Sequence, residues 1–279
     1  MPKLITTEEL LRKFLPNIFA TVKGETSLFD KLSPFIESAE QWVKNIFTGE
    51  KPFNTIAGYA DSNITKTITA RVVIAEAYRS AIPSLDLVLT PNGFGVVSNS
   101  NVAPASQQRV DRLLDAMIEQ RDSDIELLIP LLSSVSQWKT SEQYSWFAAT
   151  LFPNIDVVKT VASTTKDKWN KFLELRPKII DIESSLAEDF FSDELLTVLR
   201  QRAVANELTA ADRHIVAILR SQIIAVLNGE PINMRKMIDA VNYIRGNASA
   251  FPEWHNSATA KLFSPPIFSN TKSSSGYFF

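Results

Sequence analysis

A mainly α fold is predicted, organised as two pseudo-repeated antiparallel helical bundles with a β-hairpin inserted in the first. Three observations predict it. Apolar residues recur at helical spacing through most of the chain. A pattern in the first half returns in the second: Phe29, Leu32, Pro34, Ile36, Glu40 and Phe47 reappear, with unchanged internal spacing, as Phe172, Leu175, Pro177, Ile179, Glu183 and Phe190. Between residues 85 and 100 the helical period is lost and a turn signal takes its place.

The correspondence is expected to continue downstream. Arg79-Ser80 and Ile82 answer Arg220-Ser221 and Ile223; Leu114 to Met117 answers Ile238 to Val241; Ala149, Leu151 and Phe152 answer Ala260, Leu262 and Phe263. The interval between copies shrinks once, which places the extra residues of the first copy around Leu85 to Ser100. The expected organisation is an N-terminal arm (1–26), a first helical repeat (27–153) carrying the hairpin (85–100), a connector (154–165), a second repeat (166–263) and a tail (264–279).

Each element has a local reason. Thr6-x-x-Glu9 before Leu10 and Leu11 has the form of a capping box, and Pro16 ends that short helix. Ser33 is expected to cap the next helix, with Pro34 at its first position and Gly49 as its stop. Residues 54–62 read as loop. Ile64 to Ile82 then carries an apolar stripe that Pro83 terminates. Leu85 to Leu89, the turn Pro91-Asn92-Gly93 and Phe94 to Val97 form the hairpin. A third helix follows Pro104, with Val110, Leu113, Leu114, Met117 and Ile118 on its buried side. Ile125 to Leu132 is expected as a further helix, with Pro130 a possible kink point, and a helix from Ser141 stops at Pro153. Ile155 to Ala162 is ambiguous between strand and connector. Helices over 168–190, 193–205, 210–227 and 234–244 complete the second half, with breaks at Gly229, Pro231, Gly246 and Asn247.

Composition excludes several function classes. The chain has no cysteine, so disulfides, zinc ribbons, iron–sulfur sites and cysteine nucleophiles are ruled out. Its net charge is -2 with both signs interleaved, which leaves no concentrated positive field for nucleic acid or an anionic membrane. No apolar stretch approaches the roughly 18 residues of a membrane span. The N-terminus carries no apolar signal-peptide core.

Catalytic motifs are equally absent. His214 lies within a helical pattern, and His255 follows Trp254 near a turn. Neither has metal-ligand spacing. Gly93-Phe94-Gly95 lacks the third glycine of a dinucleotide fingerprint. Asp122, Asp124 and Glu126 lack the glycine and the later glutamate of a calcium loop. Asp111, Asp115, Glu119 and Asp122 read as a solvated acidic helix face. No catalytic, cofactor or metal residue is therefore expected. The interface candidates are Asn92 and Phe94 at the hairpin turn, and Tyr277, Phe278 and Phe279 at the C-terminus, where aromatics gain nothing from exposure to water.

One segment supports a resemblance. Leu89-Thr90-Pro91-Asn92-Gly93-Phe94-Gly95-Val96-Val97-Ser98-Asn99, then Asn101 to Ser106 and Arg109-Val110, resembles a little-characterised family encoded by tailed phages and prophages of gut bacteria. The resemblance runs from the Leu32-to-Glu40 block to the aromatic C-terminus. It implies a virion structural protein, the subunit of a head–tail connector or neck ring, assembled in the host bacterial cytoplasm. Its implied partners are further copies of itself in a ring and the portal and tail or neck proteins. DNA would meet it only by passing through a channel, and no membrane is involved. The resemblance transfers no catalytic residue and no cofactor. Two other expectations stay open: a soluble cytoplasmic helical protein-binding module, and an enzyme using carboxylates brought together between the repeats.

Overall fold

The structure is a computed structural model describing residues 3–15, 26–85, 88–90, 93–95 and 105–264. The described chain is mainly helical. Its first half comprises α1 (Glu8–Phe14), α2 (Leu28–Val43), a π-helical turn (Lys44–Thr48), α3 (Glu50–Ala57), α4 (Ile64–Leu85), β1 (Val88–Thr90), β2 (Gly93–Gly95), α5 (Gln107–Leu132), a 3-10 turn (Trp138–Thr140) and α6 (Glu142–Phe147). The remainder comprises α7 (Asp156–Val161), α8 (Lys168–Leu186), a second π-helical turn (Ala187–Phe191), α9 (Asp193–Ala205), α10 (Ala210–Leu227), α11 (Met234–Gly246), α12 (Pro252–His255) and α13 (Ala258–Leu262).

Several boundaries differ from expectation, each for a physical reason. Thr7 rather than Thr6 caps α1, accepting from the Leu10 amide. Ser27 rather than Ser33 caps α2, which leaves Pro34 inside the helix. Pro34 and its counterpart Pro177 inside α8 both lie on the exposed side. Water can reach the carbonyl that each proline leaves without a donor, which limits the usual cost. Residues 54–57, expected as part of a loop over 54–62, belong to α3. Pro83 does not end α4, which runs on to Leu85. Residues 107–132 form one helix through Pro130 rather than two. The ambiguous 155–162 stretch contains α7. The helix expected over 168–190 ends at Leu186 and passes into the π-helical turn.

The hairpin expected at 85–100 falls largely outside the described residues. Within them, β1 and β2 pair antiparallel, with Leu89 opposite Phe94. The adjoining half of α5 departs from expectation. Val110, Leu113, Leu114, Met117 and Ile118 were predicted to be buried, yet no residue from Gln107 to Gln120 is. Burial in α5 begins at Arg121 and continues through Ile125, Leu128, Ile129 and Leu132. The pairing of Leu114–Met117 with Ile238–Val241 fails for the same reason: Ala240 and Val241 are buried, whereas Leu114 to Met117 are not.

The core is a continuous cluster that draws on both halves. In α2 it uses Leu32, Ile36, Ala39 and Val43, and in α8 Phe172, Leu175, Ile179 and Leu186. α4 packs against α2 and α5, while α10 packs against α7, α8 and α11. Trp169, at the start of α8, inserts into the first half, with its ring centroid 4.8 Å from Phe47 and 6.4 Å from Trp42.

The two π-helical turns end alike. The Gly49 amide donates to the Lys44 carbonyl at 2.8 Å, and the Ser192 amide to the Ala187 carbonyl at 2.8 Å. Gly49 has φ 78° and ψ 165°, and Ser192 has φ 64° and ψ 150°. Both fall in a region that glycine tolerates and residues with a Cβ do not. A Cβ on Gly49 would also meet Gln143 Oε1 at 2.8 Å. Ser192 accepts this conformation while its hydroxyl caps α9 through the Leu195 amide.

Opposite effects are therefore expected from exchanging the two residues. Gly49→Ala should lower stability by about 1–3 kcal/mol. Ser192→Gly should raise it by up to about 1 kcal/mol, since relief of backbone strain outweighs a capping loss of a few tenths. Urea unfolding of both variants measures this.

Candidate functional site

Two buried glutamates organise the most distinctive polar geometry. Glu40 lies on α2 one turn before the first π-helical turn. Its Oε1 accepts the Leu4 amide at 2.7 Å and the Ile5 amide at 3.4 Å. Leu4 and Ile5 are both buried, so this short segment is docked by its backbone through Glu40 and by its side chains in the core. Lys3 adds an exposed ion pair to Glu37. Burial pushes the Glu40 carboxyl above its ordinary range, and the two amide donors work against that shift.

Glu183 occupies the corresponding place on α8. Its Oε1 accepts the Leu151 amide at 2.8 Å, and its Oε2 accepts Arg200 Nε at 2.7 Å. Here the docked segment is the chain leading from α6 to α7, with Leu151 and Phe152 buried. The Phe152 amide goes instead to Thr150 Oγ1. Two further arginines hold this segment. Arg220 donates twice to the Leu151 carbonyl, at 2.9 and 2.5 Å, and Arg176 donates to the Trp146 carbonyl while stacking 3.7 Å over the Trp146 ring. Burial raises Glu183 against the pull of Arg200. It lowers Arg176 to about 10, because Glu183 only partly compensates the desolvated guanidinium.

The tryptophans of the two halves also match. Trp138 Nε1 donates to the Phe47 carbonyl at 2.7 Å, and Trp254 Nε1 donates to the Phe190 carbonyl at 2.8 Å. Ser141 Oγ then donates to the Trp138 carbonyl and caps α6, as Ser257 Oγ donates to the Trp254 carbonyl and caps α13. These contacts pair Trp138-x-x-Ser141 with Trp254-x-x-Ser257, a match that the sequence comparison missed. They set a different register from the expected pairing of Ala149, Leu151 and Phe152 with Ala260, Leu262 and Phe263. The visible signal was the Trp-x-x-Ser spacing in both halves.

A third cluster ties the halves together. Arg121 on α5 donates to Asp122 Oδ1 at 2.7 Å, to Asp167 Oδ1 at 2.7 Å and to Glu76 Oε2 at 3.2 Å. Asp122 Oδ2 accepts the Lys168 amide at 2.6 Å, and Asp167 accepts the Asn170 amide at 3.0 Å. Carboxylates from two elements thus sit at the N-terminus of α8, where free amides and the helix dipole favour them. Asp122 is therefore not part of a solvated face; it is buried, and burial raises its carboxyl despite Arg121. Asp111 and Glu119 are exposed, as expected.

The interface candidates Asn92, Tyr277, Phe278 and Phe279 fall outside the described residues. Phe94 belongs to β2, and only its backbone is described. Among the described residues no cluster of histidine and carboxylate groups suits a metal ion. His214 is exposed against Tyr243, and His255 lies 3.2 Å from the Ile244 carbonyl. A cleft of about 490 Å³ beside Arg71, Met117 and Gln120 is lined by no carboxylate, and one of about 360 Å³ beside Trp146 and Trp169 only by Glu142. Neither supplies a pair of acids. Among the described residues no helix is long and apolar enough to cross a membrane.

Residues 15–148 match a family of unknown function, DUF6712. No curated protein and no solved structure matches the chain.

Removing the Arg121 guanidinium leaves the buried Asp122 without its cation, whereas Glu76 keeps Arg79 and Asp167 keeps the Asn170 amide. Arg121→Met should cost about 3–5 kcal/mol in urea unfolding. Glu40 gives a pH test. Its folded pKa lies above the unfolded value, so the folded state binds the proton more tightly. Wild-type stability should therefore rise relative to Glu40→Gln as pH falls from the raised value toward 4.5. Thermal unfolding of both proteins between neutral pH and that limit should show the gap moving in the wild type's favour.

Proposed function

We propose that the chain is a non-enzymatic structural adaptor, the ring-forming subunit of a head–tail connector in a tailed bacteriophage. Its body is a duplicated helical unit, and its hairpin and C-terminal aromatics serve contacts with neighbours. The observation that carries this reading is the recurrence of one polar framework: glutamate, π-helical turn, positive-φ residue and indole-to-carbonyl hydrogen bond. It occurs once around Glu40, Gly49 and Trp138, and again around Glu183, Ser192 and Trp254. The family match ends at Ala148, one residue after α6, which supports a unit boundary there.

The chemistry of the framework favours a scaffold. Glu40 and Glu183 are spent on backbone amides, and Asp122 on the amide of Lys168 and the guanidinium of Arg121. Such groups hold chain segments in place. A ring requires side-to-side contacts between unlike surfaces, and a rigid body can supply them. The half of α5 nearest the hairpin fits such a projection, since none of its apolar residues is fully buried. The resemblance noted around Leu89 to Val110 supplies the phage context and the expected partners, the portal and the tail or neck proteins.

Three measurements test this proposal. Negative-stain images of the purified protein, alone or with a portal protein, should show rings; a protein that remains monomeric and binds no virion component overturns the adaptor reading. Phe94→Ser, or removal of Tyr277 to Phe279, should weaken assembly while leaving the melting temperature within a few degrees. Trp138→Phe and Trp254→Phe should each cost about 1–3 kcal/mol by stranding a buried carbonyl. A substantial loss in only one of them would count against the duplicated unit.

A further inference from the structure

The two glutamate docks differ in what fills them, and that difference suggests a route to assembly. The Glu183 dock is filled from within the chain by Leu151-Phe152, thirteen and fourteen residues beyond Trp138. Counting the same thirteen and fourteen residues beyond Trp254 leads to Ile267-Phe268, another aliphatic–aromatic pair. The Glu40 dock, meanwhile, is filled by Leu4-Ile5.

We propose that the Glu40 dock is an inter-subunit acceptor. Residues 3–5 act as an exchangeable plug, and the incoming occupant is the Ile267-Phe268 segment of a second copy. This inference rests on the duplicated unit proposed above. The joint between the two halves of one chain is then repeated between chains, with the end of one unit entering the glutamate dock of the next.

The acceptor chemistry is general enough for exchange. Glu40 binds backbone amides, which any non-proline segment presents, and the core around Leu4 and Ile5 takes apolar side chains. The plug is also held by fewer groups than the connector. Arg220 and Arg176 grip the carbonyls of Leu151 and Trp146, whereas among the described residues the side chains that hydrogen-bond residues 3–5 are Glu40 and the exposed Glu37. A contact between unlike surfaces, repeated from copy to copy, yields a closed ring or an open filament according to its rotation.

The test uses a fluorescein-labelled peptide spanning residues 264–272 and a chain lacking residues 2–5. Anisotropy should show the peptide binding the shortened chain at least tenfold more tightly than the full-length chain. Replacing Ile267 and Phe268 by Ser in the peptide, or Glu40 by Ala in the shortened chain, should abolish binding. A peptide of residues 2–9 should compete. Where the deletion disturbs folding by circular dichroism, the full-length double variant Leu4→Gly/Ile5→Gly carries the same comparison. Equal binding to plugged and unplugged chains, or binding indifferent to Glu40, overturns the proposal. Comparable losses in Trp138→Phe and Trp254→Phe without peptide binding reject the exchange and leave the duplication standing. A loss in only one of the two strikes at the duplication itself.

Discussion

A buried carbonyl at the end of each π-helical turn is the constraint around which the packing is arranged. Helix ends leave carbonyls without intrahelical partners, and at Phe47 and Phe190 those carbonyls lie in the core, out of reach of water. An indole from a distant part of the chain meets each one. That single hydrogen bond fixes where the 3-10 turn at Trp138 and helix α12 must sit. Ser141 and Ser257 then hold the outgoing chain by taking the tryptophan's own carbonyl and capping the next helix. An unpaired carbonyl in this setting would cost about 1–3 kcal/mol, comparable to losing a good part of one core side chain.

The glutamates one turn earlier perform a related task at the other side of each framework. They pin a neighbouring non-helical segment by its backbone amides. The buried charge is costly, as the raised carboxyl of each residue shows. It is tolerated because the donors converge on it and, at Glu183, because Arg200 lies within 2.7 Å. Arg121 extends the same logic across the join between the halves: one guanidinium serves Glu76, Asp122 and Asp167, and two of those carboxylates cap the N-terminus of α8. With Trp169 packed on Phe47, the halves share one core. For the proposed adaptor, this makes the body a rigid unit and leaves assembly to its extremities.

Much of this was legible in the residues. Helical periodicity placed α4 and α10 close to their observed positions, and the bounds of α9 and α10 agree with the expected 193–205 and 210–227. The block from Phe29 to Phe47 and its partner from Phe172 to Phe190 map onto α2, α8 and the two π-helical turns. The errors came from local signals overridden at a distance. Prolines at 34, 83 and 130 suggested ends or kinks, yet all lie within helices because each exposes its side to water. Asp122 looked solvated by its spacing with Asp111, Asp115 and Glu119, but Arg121 and the start of α8 enclose it.

The amino-acid sequence by itself determined the mainly helical class, the lack of cysteine chemistry and the recurrence of a glutamate–phenylalanine block, because these depend on residue type and short-range spacing. Tertiary structure alone decided what those glutamates bind, which tryptophan meets which carbonyl and where α5 becomes buried. Those outcomes depend on groups far apart in the chain being desolvated together, as in Leu4 with Glu40, 36 residues apart, or Trp138 with Phe47, 91 apart. Periodicity along a single helix carries no record of such a partner.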